Sequence, residues 1–424
     1  MKILLVLNKP NREIPIMESI TREILALRPD AEVEIREMCT PEFRRFVFSY
    51  RPDVILTFPF TCEGFSRWYY IFKILFGSKI LSLRAEGVVD FTSEYNVAWA
   101  VGFDRYGKSL VDYELFWGEK LARAVGERLL LTSKISSMER VKAVGYPRLE
   151  YYFDHMQEQP TELPARIKQK LACYNRSNTI LFITGFHLAN YTRQSLFDAK
   201  DLDAGNNLDE LLEGVELSKQ FRSEWSENIV KTASENPNCL IVVKKHPIEK
   251  KEDYDVFLDI GNILFVFEDI QMQDIIPYVG VLFHYGSTAL VDAYLSKTPS
   301  IYVSSARNKQ WYSDLGWPSN LKIQVEGVPA AAKDYLNGLI QFEPTPEINK
   351  VLKDIFNIEP GKPYIPSQEI AKILLGQEPP QKISYFDKYL WMSVVGTVYH
   401  SIAHRLKVFR QKHSVKTRSN QQLN

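Results

Sequence analysis

Two short stretches of the chain combine residues that can bind a phosphate group. Residues 244–247, Lys-Lys-His-Pro, end an apolar run, and residues 284–288, His-Tyr-Gly-Ser-Thr, lead from another apolar run into a helical pattern. Hydroxyls and free N–H groups at the first turn of a helix favour an anion. The candidate phosphate-binding residues are Lys244, Lys245, His246, Pro247, His284, Gly286, Ser287 and Thr288.

Each of these stretches also has a purely structural interpretation. A Ser-Thr pair before a helix is commonly an N-cap, here at Ser287 or Thr288, and His-Pro after a strand is commonly only a loop. Both stretches follow predicted strands of neighbouring βα units, and the carboxyl ends of parallel strands are where ligands bind. Their combination therefore favours a ligand site over two unrelated loops.

A carboxylate and four further residues occupy similar positions in the pattern. Glu86 follows the fourth predicted strand, where it could take part in chemistry or could only contact a loop backbone. Glu86 is the candidate catalytic residue. The candidate cleft-lining residues are Gly87, Arg148, Gly185 and Phe186.

The elements that must position these residues follow from alternating apolar patterns. Strand-like runs at 3–7, 32–36, 54–58, 80–83 and 113–117 alternate with helix-like segments at 14–28, 41–50 and 65–76. The alternation restarts at Thr179 with strands at 239–245, 263–267, 280–284 and 300–303, and with a long helix from about Leu208 to Glu235; beyond Pro318 it predicts only loops and helices. This pattern indicates two parallel sheets covered by helices. The first strand lacks the GxGxxG fingerprint of dinucleotide-binding domains.

The length of 424 residues predicts two domains, since one hydrophobic core seldom grows so large. Residues 158–164, Glu-Gln-Pro-Thr-Glu-Leu-Pro, are the best linker candidate. We therefore expect a first domain at 1–157, a linker at 158–177, a second domain at 178–380 and a tail at 381–424.

The tail carries a charge opposite to that of the body. It holds eight Lys/Arg against one acid, Asp387, whereas residues 1–380 carry a net charge of −7. The spacing of apolar residues from Tyr385 to Phe409 predicts an amphipathic helix, which could pack on the body or contact anionic lipid. The acidic body argues against nucleic-acid binding.

Other sequence features point to a cytoplasmic protein without a metal site. The four cysteines are dispersed, and the apolar run that follows Lys2 is too short for a signal peptide. No segment approaches the roughly 18 apolar residues of a membrane-spanning helix. A long insertion at 190–207 suggests a substrate-facing loop, and its Asp201-Leu202-Asp203 is discounted as a metal motif because spacing fixes no third ligand.

The order of the motifs resembles that of known glycosyltransferases. Ala85-Glu86-Gly87, His246-Pro247 and Ser287-Thr288 resemble the acidic-Gly, His-Pro and Ser/Thr motifs of bacterial sialyltransferases and Kdo transferases. Residues 116–120, Phe-Trp-Gly-Glu-Lys, and 145–149, Gly-Tyr-Pro-Arg-Leu, are similar to landmarks of surface carbohydrate biosynthesis proteins. The resemblance covers about residues 1–305. It implies the GT-B fold, in which two Rossmann-like domains face each other across a cleft.

The resemblance also implies a division of labour between the two halves. His246, Ser287 and Thr288 would bind the phosphate of a cytidine nucleotide, with Lys244 or Lys245 adding positive charge and without metal. Glu86, in the other half, would act as a general base if configuration inverts, or as a nucleophile or oxocarbenium stabiliser if it is retained.

These inferences lead to a functional hypothesis with open alternatives. We expect a metal-independent glycosyltransferase that moves Kdo or another nonulosonic acid from a CMP-sugar, with no other cofactor, to a glycan or lipid-linked acceptor. We expect it in the cytoplasm, with its tail on the anionic inner face of the membrane. The alternatives are a CDP-glycerol-type polyol-phosphate transferase, a nucleotide-sugar epimerase and a non-catalytic assembly scaffold.

Overall fold

A computed structural model describes most of residues 1–377. It leaves out residues 9, 39, 59–62, 85–110, 132–134, 155–162, 194–207, 248, 269, 306–318, 360 and everything after 377. Glu86, Gly87, the Asp201–Asp203 segment and the predicted tail helix therefore lie outside the described residues. No described helix has the length and apolar character needed to cross a membrane.

The chain forms two compact units. The first contains residues 1–147 and a C-terminal stretch that begins at Ile365, and the second contains Arg148–Tyr364.

The first unit is a six-stranded parallel sheet covered by helices. Its strand order is β2-β1-β3-β4-β5-β6. The strands are β1 (Lys2–Leu7), β2 (Glu32–Glu37), β3 (Val54–Thr57), β4 (Lys79–Leu83), β5 (Tyr113–Phe116) and β6 (Val141–Ala143). The helices are α1 (Pro10–Leu27), α2 (Pro41–Tyr50), α3 (Glu63–Phe76) and α4 (Glu119–Leu131).

Sequence chemistry explains where these elements begin and end. Helix α2 starts after Thr40, whose hydroxyl accepts from the Phe43 N–H, and it ends at Arg51 in the left-handed region. Strands β3 and β4 are buried along their whole length except for the half-buried Lys79, as expected for parallel strands covered on both faces.

The second unit is also a six-stranded parallel sheet, in the order β12-β11-β10-β7-β8-β9. Its strands are β7 (Thr179–Ile183), β8 (Leu240–Lys244), β9 (Ile263–Val266), β10 (Val281–His284), β11 (Ser300–Ser304) and β12 (Leu321–Gln324). Its helices are α5 (Tyr151–Asp154), α6 (Ala165–Ala172), α7 (Leu208–Glu235), α8 (Met272–Ile275), α9 (Ala289–Leu295), α10 (Val328–Leu336) and α11 (Pro346–Phe356). Single 3₁₀ turns join several of them.

The last described helix, α12 (Pro366–Leu375), returns to the first unit. It packs on α1, and the Ser367 hydroxyl donates to that of Ser19 at 3.0 Å. The interval 178–380, predicted as one domain, therefore contains a helix that belongs to the other unit.

The boundary between the units falls before the predicted linker. The chain changes unit between Pro147 and Arg148, and part of the segment predicted as linker forms helix α6. Residues that follow Pro147 belong to the second unit because they pack on it. The Tyr152 hydroxyl donates to Asp292, and the rings of Phe153 and Tyr364 lie 5.0 Å apart.

Two strands were not predicted, β6 (Val141–Ala143) in the first sheet and β12 (Leu321–Gln324) in the second. Strand β12 pairs with β11 at the edge of the second sheet, where only alternate residues are half-buried and the others are exposed. Its sequence, Leu-Lys-Ile-Gln, is too short and too polar to suggest a buried strand.

Candidate functional site

The second sheet has a point at which its strand order reverses. The chain enters at β7, proceeds to β8 and β9 on one side, and then returns to β10, β11 and β12 on the other. Since β7 pairs with both β8 and β10, the loops after these three strands leave the same edge of the sheet. In open parallel sheets this reversal point is where ligands bind. The loops are residues 184–186, 245–249 and 285–288.

The His-Pro loop is tied to the loop after β7 through its backbone. The His246 N–H donates to the Thr184 hydroxyl at 3.0 Å and to a carboxylate oxygen of Glu249 at 3.1 Å. The side chain of His246 is half-buried, and Pro247 is exposed. His246, Pro247 and the half-buried Lys244 are thus placed together at this edge.

Lys245 has a structural role. It is 7% exposed, and its ammonium group donates to the carbonyl oxygens of His246 and Glu249 at 2.8 and 2.7 Å. The prediction that Lys245 binds phosphate is corrected, because its ammonium group is buried and hydrogen-bonded to carbonyl oxygens of its own loop.

Glu249 connects the two loops, and sequence reasoning missed it. One of its carboxylate oxygens accepts from the Thr184 hydroxyl and the His246 N–H, and the other accepts from the Phe186 N–H and the Tyr254 hydroxyl. The residue is 4% exposed. In the sequence it precedes Lys-Lys-Glu-Asp and looks like part of a solvated charged segment, so only its distance of two residues from His-Pro could have suggested a role.

The carboxylate also affects Tyr254. Burial, and then the negative charge of Glu249, raise the pKa of the Tyr254 phenol far above its usual range. The hydroxyl therefore stays protonated and donates to Glu249 at 2.7 Å. The four donors keep this carboxylate in place beneath the candidate site.

His284 is buried within the loop after β10. Its Nδ1 accepts from the Gly286 N–H at 3.3 Å, and its Nε2 lies 3.0 Å from the Ser319 hydroxyl. Burial lowers the pKa of His284 to about 3, so the ring is neutral at pH 7. The prediction that His284 touches phosphate is corrected, because the ring is 0% exposed and both nitrogens are engaged.

The residues that follow His284 form the accessible part of this loop. Gly286 is exposed with φ of 106°, a conformation that favours glycine. Ser287 and Thr288 are half-buried; the Ser287 hydroxyl accepts from the Ala289 N–H at 3.3 Å, and the Thr288 side chain makes no cap hydrogen bond. Helix α9 has only seven residues, so its dipole is not the basis of the candidate site. The candidate site is defined by the three converging loops.

Asp292 on α9 engages the predicted cleft residue Arg148. Both carboxylate oxygens accept from the Arg148 guanidinium at 2.9 Å, and the Tyr152 hydroxyl donates to Asp292 at 2.6 Å. Asp292 is 0% exposed, so a buried bidentate pair joins the start of the second unit to the helix after the candidate site. Arg148 itself is half-buried, and its predicted place in a cleft stays a prediction.

An aromatic group lies beneath the reversal point. The Phe186 and Tyr285 rings stack at 4.6 Å with an interplanar angle of 18°, and Phe221 and Trp225 meet Tyr285 edge-on. The prediction that Phe186 lines a cleft is corrected, because the residue is fully buried in the core. Gly185 is half-buried, and a Cβ at this position would lie 2.7 Å from the Tyr285 hydroxyl oxygen.

In the first unit, the structure describes the strand that leads to Glu86. Strand β4 ends at Leu83, and the next residue, Arg84, pairs with Glu114 at 3.2 Å while its carbonyl accepts from the Trp117 indole at 2.7 Å. Glu86 and Gly87 themselves lie outside the described residues. Their predicted roles stay predictions.

Comparison with solved structures identifies similar folds. UDP-GlcNAc 2-epimerase from Neisseria meningitidis bound to UDP-GlcNAc has a TM-score of 0.53 at 11% identity, covering 89% of this chain and 100% of its own. The 2-epimerase from Methanocaldococcus jannaschii in complex with UDP-GlcNAc and UDP has a TM-score of 0.53 at 12% identity, covering 88% and 99%. The wall teichoic acid polymerase TagF, in a variant soaked with CDPG, has a TM-score of 0.53 at 11% identity, covering 88% and 87%.

These similarities concern the fold. No protein-family model matches the chain, and no curated protein matches it in sequence. The prediction of a GT-B-like α/β fold with two Rossmann-like domains is confirmed by the two parallel sheets and by these neighbours.

Proposed function

We propose that the protein transfers a sugar, Kdo or another nonulosonic acid, from a CMP-activated donor to a growing surface polysaccharide or glycolipid. The observation that carries this proposal is the convergence of three loops at the strand-order reversal of the second sheet. There the Thr184 hydroxyl and the backbone N–H groups of Phe186 and His246 all donate to one buried carboxylate, that of Glu249. An edge held in this way suits a nucleotide phosphate.

The proposed phosphate-binding residues are those that the loops leave accessible. Lys244 ends β8 and His246 follows it, and Gly286, Ser287 and Thr288 follow β10. During transfer the bond between the anomeric carbon and the phosphate oxygen breaks, and CMP leaves with the electron pair. Donors already in place stabilise the charge that develops on the phosphate, so the step needs no metal.

Glu86 is the proposed catalytic carboxylate on the sugar side. The acceptor hydroxyl oxygen forms the new bond to the anomeric carbon and loses its proton. In an inverting reaction Glu86 takes that proton as general base. The resemblance of residues 85–87 to the acidic-Gly motif supports this role.

Two other reactions are kept as alternatives because fold neighbours favour them. The likeness to TagF, soaked with CDPG, favours transfer of a polyol phosphate from CDP-glycerol. The likeness to two UDP-GlcNAc 2-epimerases favours epimerisation of a UDP-sugar, which would proceed without an acceptor. All three likenesses are at 11–12% identity and concern the fold, so turnover of each donor decides between the reactions.

A donor screen followed by mass spectrometry tests the proposal. The protein is incubated with a CMP-nonulosonic acid, CDP-glycerol or UDP-GlcNAc, each with and without glycan acceptors. We expect acceptor-dependent release of CMP only from the first donor. In the Glu86→Gln variant we expect release to fall by about 10²–10⁴ while CMP affinity is kept. Acceptor-dependent turnover of CDP-glycerol, or acceptor-free conversion of UDP-GlcNAc, would refute the proposal in favour of that alternative.

A further inference from the structure

Helix α2 presents basic and aromatic side chains to solvent. Phe43 and Val47 are buried against the sheet, whereas Arg44 and Arg45 on the opposite side are exposed and Phe48 is 41% exposed. Phe48 therefore lies at the margin of the core and presents much of its ring to solvent beside the arginines. The outward side of α2 is therefore itself a candidate binding surface.

Helix α3 continues this surface with apolar residues. Tyr69 and Phe72 are buried, but Leu75 is 52% exposed, and Trp68 and Ile71 are half-buried. Positions 68, 71 and 75 follow the helical spacing of one face. Lys73, on the same helix, has its ammonium group 2.7 Å from the Asp112 carboxylate and does not add free charge to this face.

Direct contacts join the two helices into one surface. The Arg44 guanidinium carbon lies 4.3 Å from the centre of the Trp68 ring, a cation–π distance. The Phe48 ring meets those of Phe72 and Phe76 edge-on at 6.1 and 5.7 Å. We define the α2–α3 surface by the six residues Arg44, Arg45, Phe48, Trp68, Ile71 and Leu75.

We propose that the α2–α3 surface binds an anionic lipid membrane. Aliphatic and aromatic side chains beside arginines are the combination that enters the interface of an anionic bilayer, where each basic residue strengthens binding about fivefold. Glu42 is the one exposed acid of α2, against Arg44, Arg45 and the exposed Arg51 that follows the helix. The net charge is therefore positive.

The chain's own C-terminal segment is poorly suited to cover the α2–α3 surface, because both are positively charged. Residues 381–424 carry eight Lys/Arg and one acid, so packing them on Arg44 and Arg45 would bring like charges together. Both regions instead favour the same anionic partner. The surface is also separate from the proposed nucleotide site, since it lies in the first unit, and its test requires no turnover.

Vesicle sedimentation of the full chain tests this proposal. Vesicles of neutral phosphatidylcholine are compared with vesicles that contain anionic phosphatidylglycerol, for wild type, Leu75→Glu and the double variant R44Q/R45Q. Leu131→Glu is the matched control, because Leu131 is 79% exposed, ends α4 in the same unit and lies outside the surface. The same series in a chain that ends at residue 380 separates this surface from the C-terminal segment.

We expect R44Q/R45Q to lower the partition onto anionic vesicles by about 25-fold, at about fivefold per arginine. We expect Leu75→Glu to lower it by at least about tenfold and Leu131→Glu to leave it unchanged, in both chain lengths. Circular dichroism checks folding, and the double variant changes only exposed side chains.

Four results would overturn the proposal. They are equal binding by all variants, equal binding to neutral and anionic vesicles, binding that appears only after the segment is removed, and a wild-type dimer that Leu75→Glu converts to a monomer. The last two would assign the surface to the C-terminal segment or to a second copy of the chain.

Discussion

Replacing Glu249 by alanine should weaken the fold and the proposed nucleotide site together. The carboxylate accepts four hydrogen bonds, from Thr184, Phe186, His246 and Tyr254. Alanine removes all four acceptor contacts.

The donors differ in what the substitution leaves them. The His246 N–H keeps the Thr184 hydroxyl at 3.0 Å as a second acceptor. The buried Phe186 N–H loses its carboxylate acceptor. The Thr184 and Tyr254 hydroxyls lose theirs as well, but they also hydrogen-bond to each other, so one of the two can still donate and the other is stranded. A stranded buried donor costs about 1–3 kcal/mol, so we expect the free energy of unfolding to fall by about 2–6 kcal/mol.

The same change should loosen the loops of the proposed site. Without Glu249, the loop after β7 and the His-Pro loop lose their common anchor, and we expect the Kd for CMP to rise at least about tenfold. Urea denaturation measures the stability, and isothermal titration calorimetry measures the affinity. Tyr254→Phe is the matched control, since it removes one of the four donors and leaves the carboxylate and both loop N–H donors in place.

Two outcomes would refute this reasoning. A loss of stability below about 1 kcal/mol would mean that water replaces the carboxylate at no cost. A large loss of stability with an unchanged Kd for CMP would mean that Glu249 supports only the fold. For Tyr254→Phe we expect a loss of about 1 kcal/mol and a nearly unchanged Kd.

Three further predictions follow from single features of the molecule. Burial lowers the folded-state pKa of His284 to about 3 while the unfolded value is about 6.5, so the unfolded state binds the proton first as pH falls. Between pH 6.5 and about 3 the free energy of unfolding should therefore drop by about 1.4 kcal/mol per pH unit, and His284→Asn should abolish this part of the slope in urea titrations. Gly185→Ala should lower the free energy of unfolding by about 1–3 kcal/mol in urea denaturation and raise the Kd for CMP, because the new Cβ would meet the hydroxyl of Tyr285, whose ring is held between neighbouring aromatic rings. A wild-type free energy of unfolding together with a wild-type Kd would show that the Tyr285 ring moves aside. Deleting residues 384–424 should reduce sedimentation with anionic vesicles and make the remaining binding less sensitive to salt, whereas loss of solubility on deletion would favour a packed helix.

Much of the fold was predictable because strand and helix patterns are local. The helix expected from about Leu208 to Glu235 is observed at those residues. The strand expected at 280–284 is observed at Val281–His284. Position at a strand end is also a local property, which is why His246 and Ser287 were placed correctly at the sheet's edge.

The direction and partners of a side chain could not be predicted in this way. Glu249 acts on Thr184, 65 residues earlier, and Asp292 holds Arg148, 144 residues earlier. Lys245 and His284 looked like ligand residues because their types suit phosphate. Only the three-dimensional contacts show that both side chains are buried and that their polar atoms form hydrogen bonds within the protein.

The central claim is that the second unit binds the phosphate of a cytidine nucleotide through the loops at His246 and Ser287. The most direct test is a thermal-shift panel of CMP, CDP, UDP and GDP on wild type, His246→Ala and Lys250→Ala, an exposed residue of the same segment that serves as the control. At about 100 times its Kd a nucleotide stabilises the protein by about 2.7 kcal/mol. We predict that the cytidine nucleotides stabilise wild type and Lys250→Ala in this way and do not stabilise His246→Ala. An equal shift in all three proteins, or stabilisation by UDP or GDP alone, would contradict the claim.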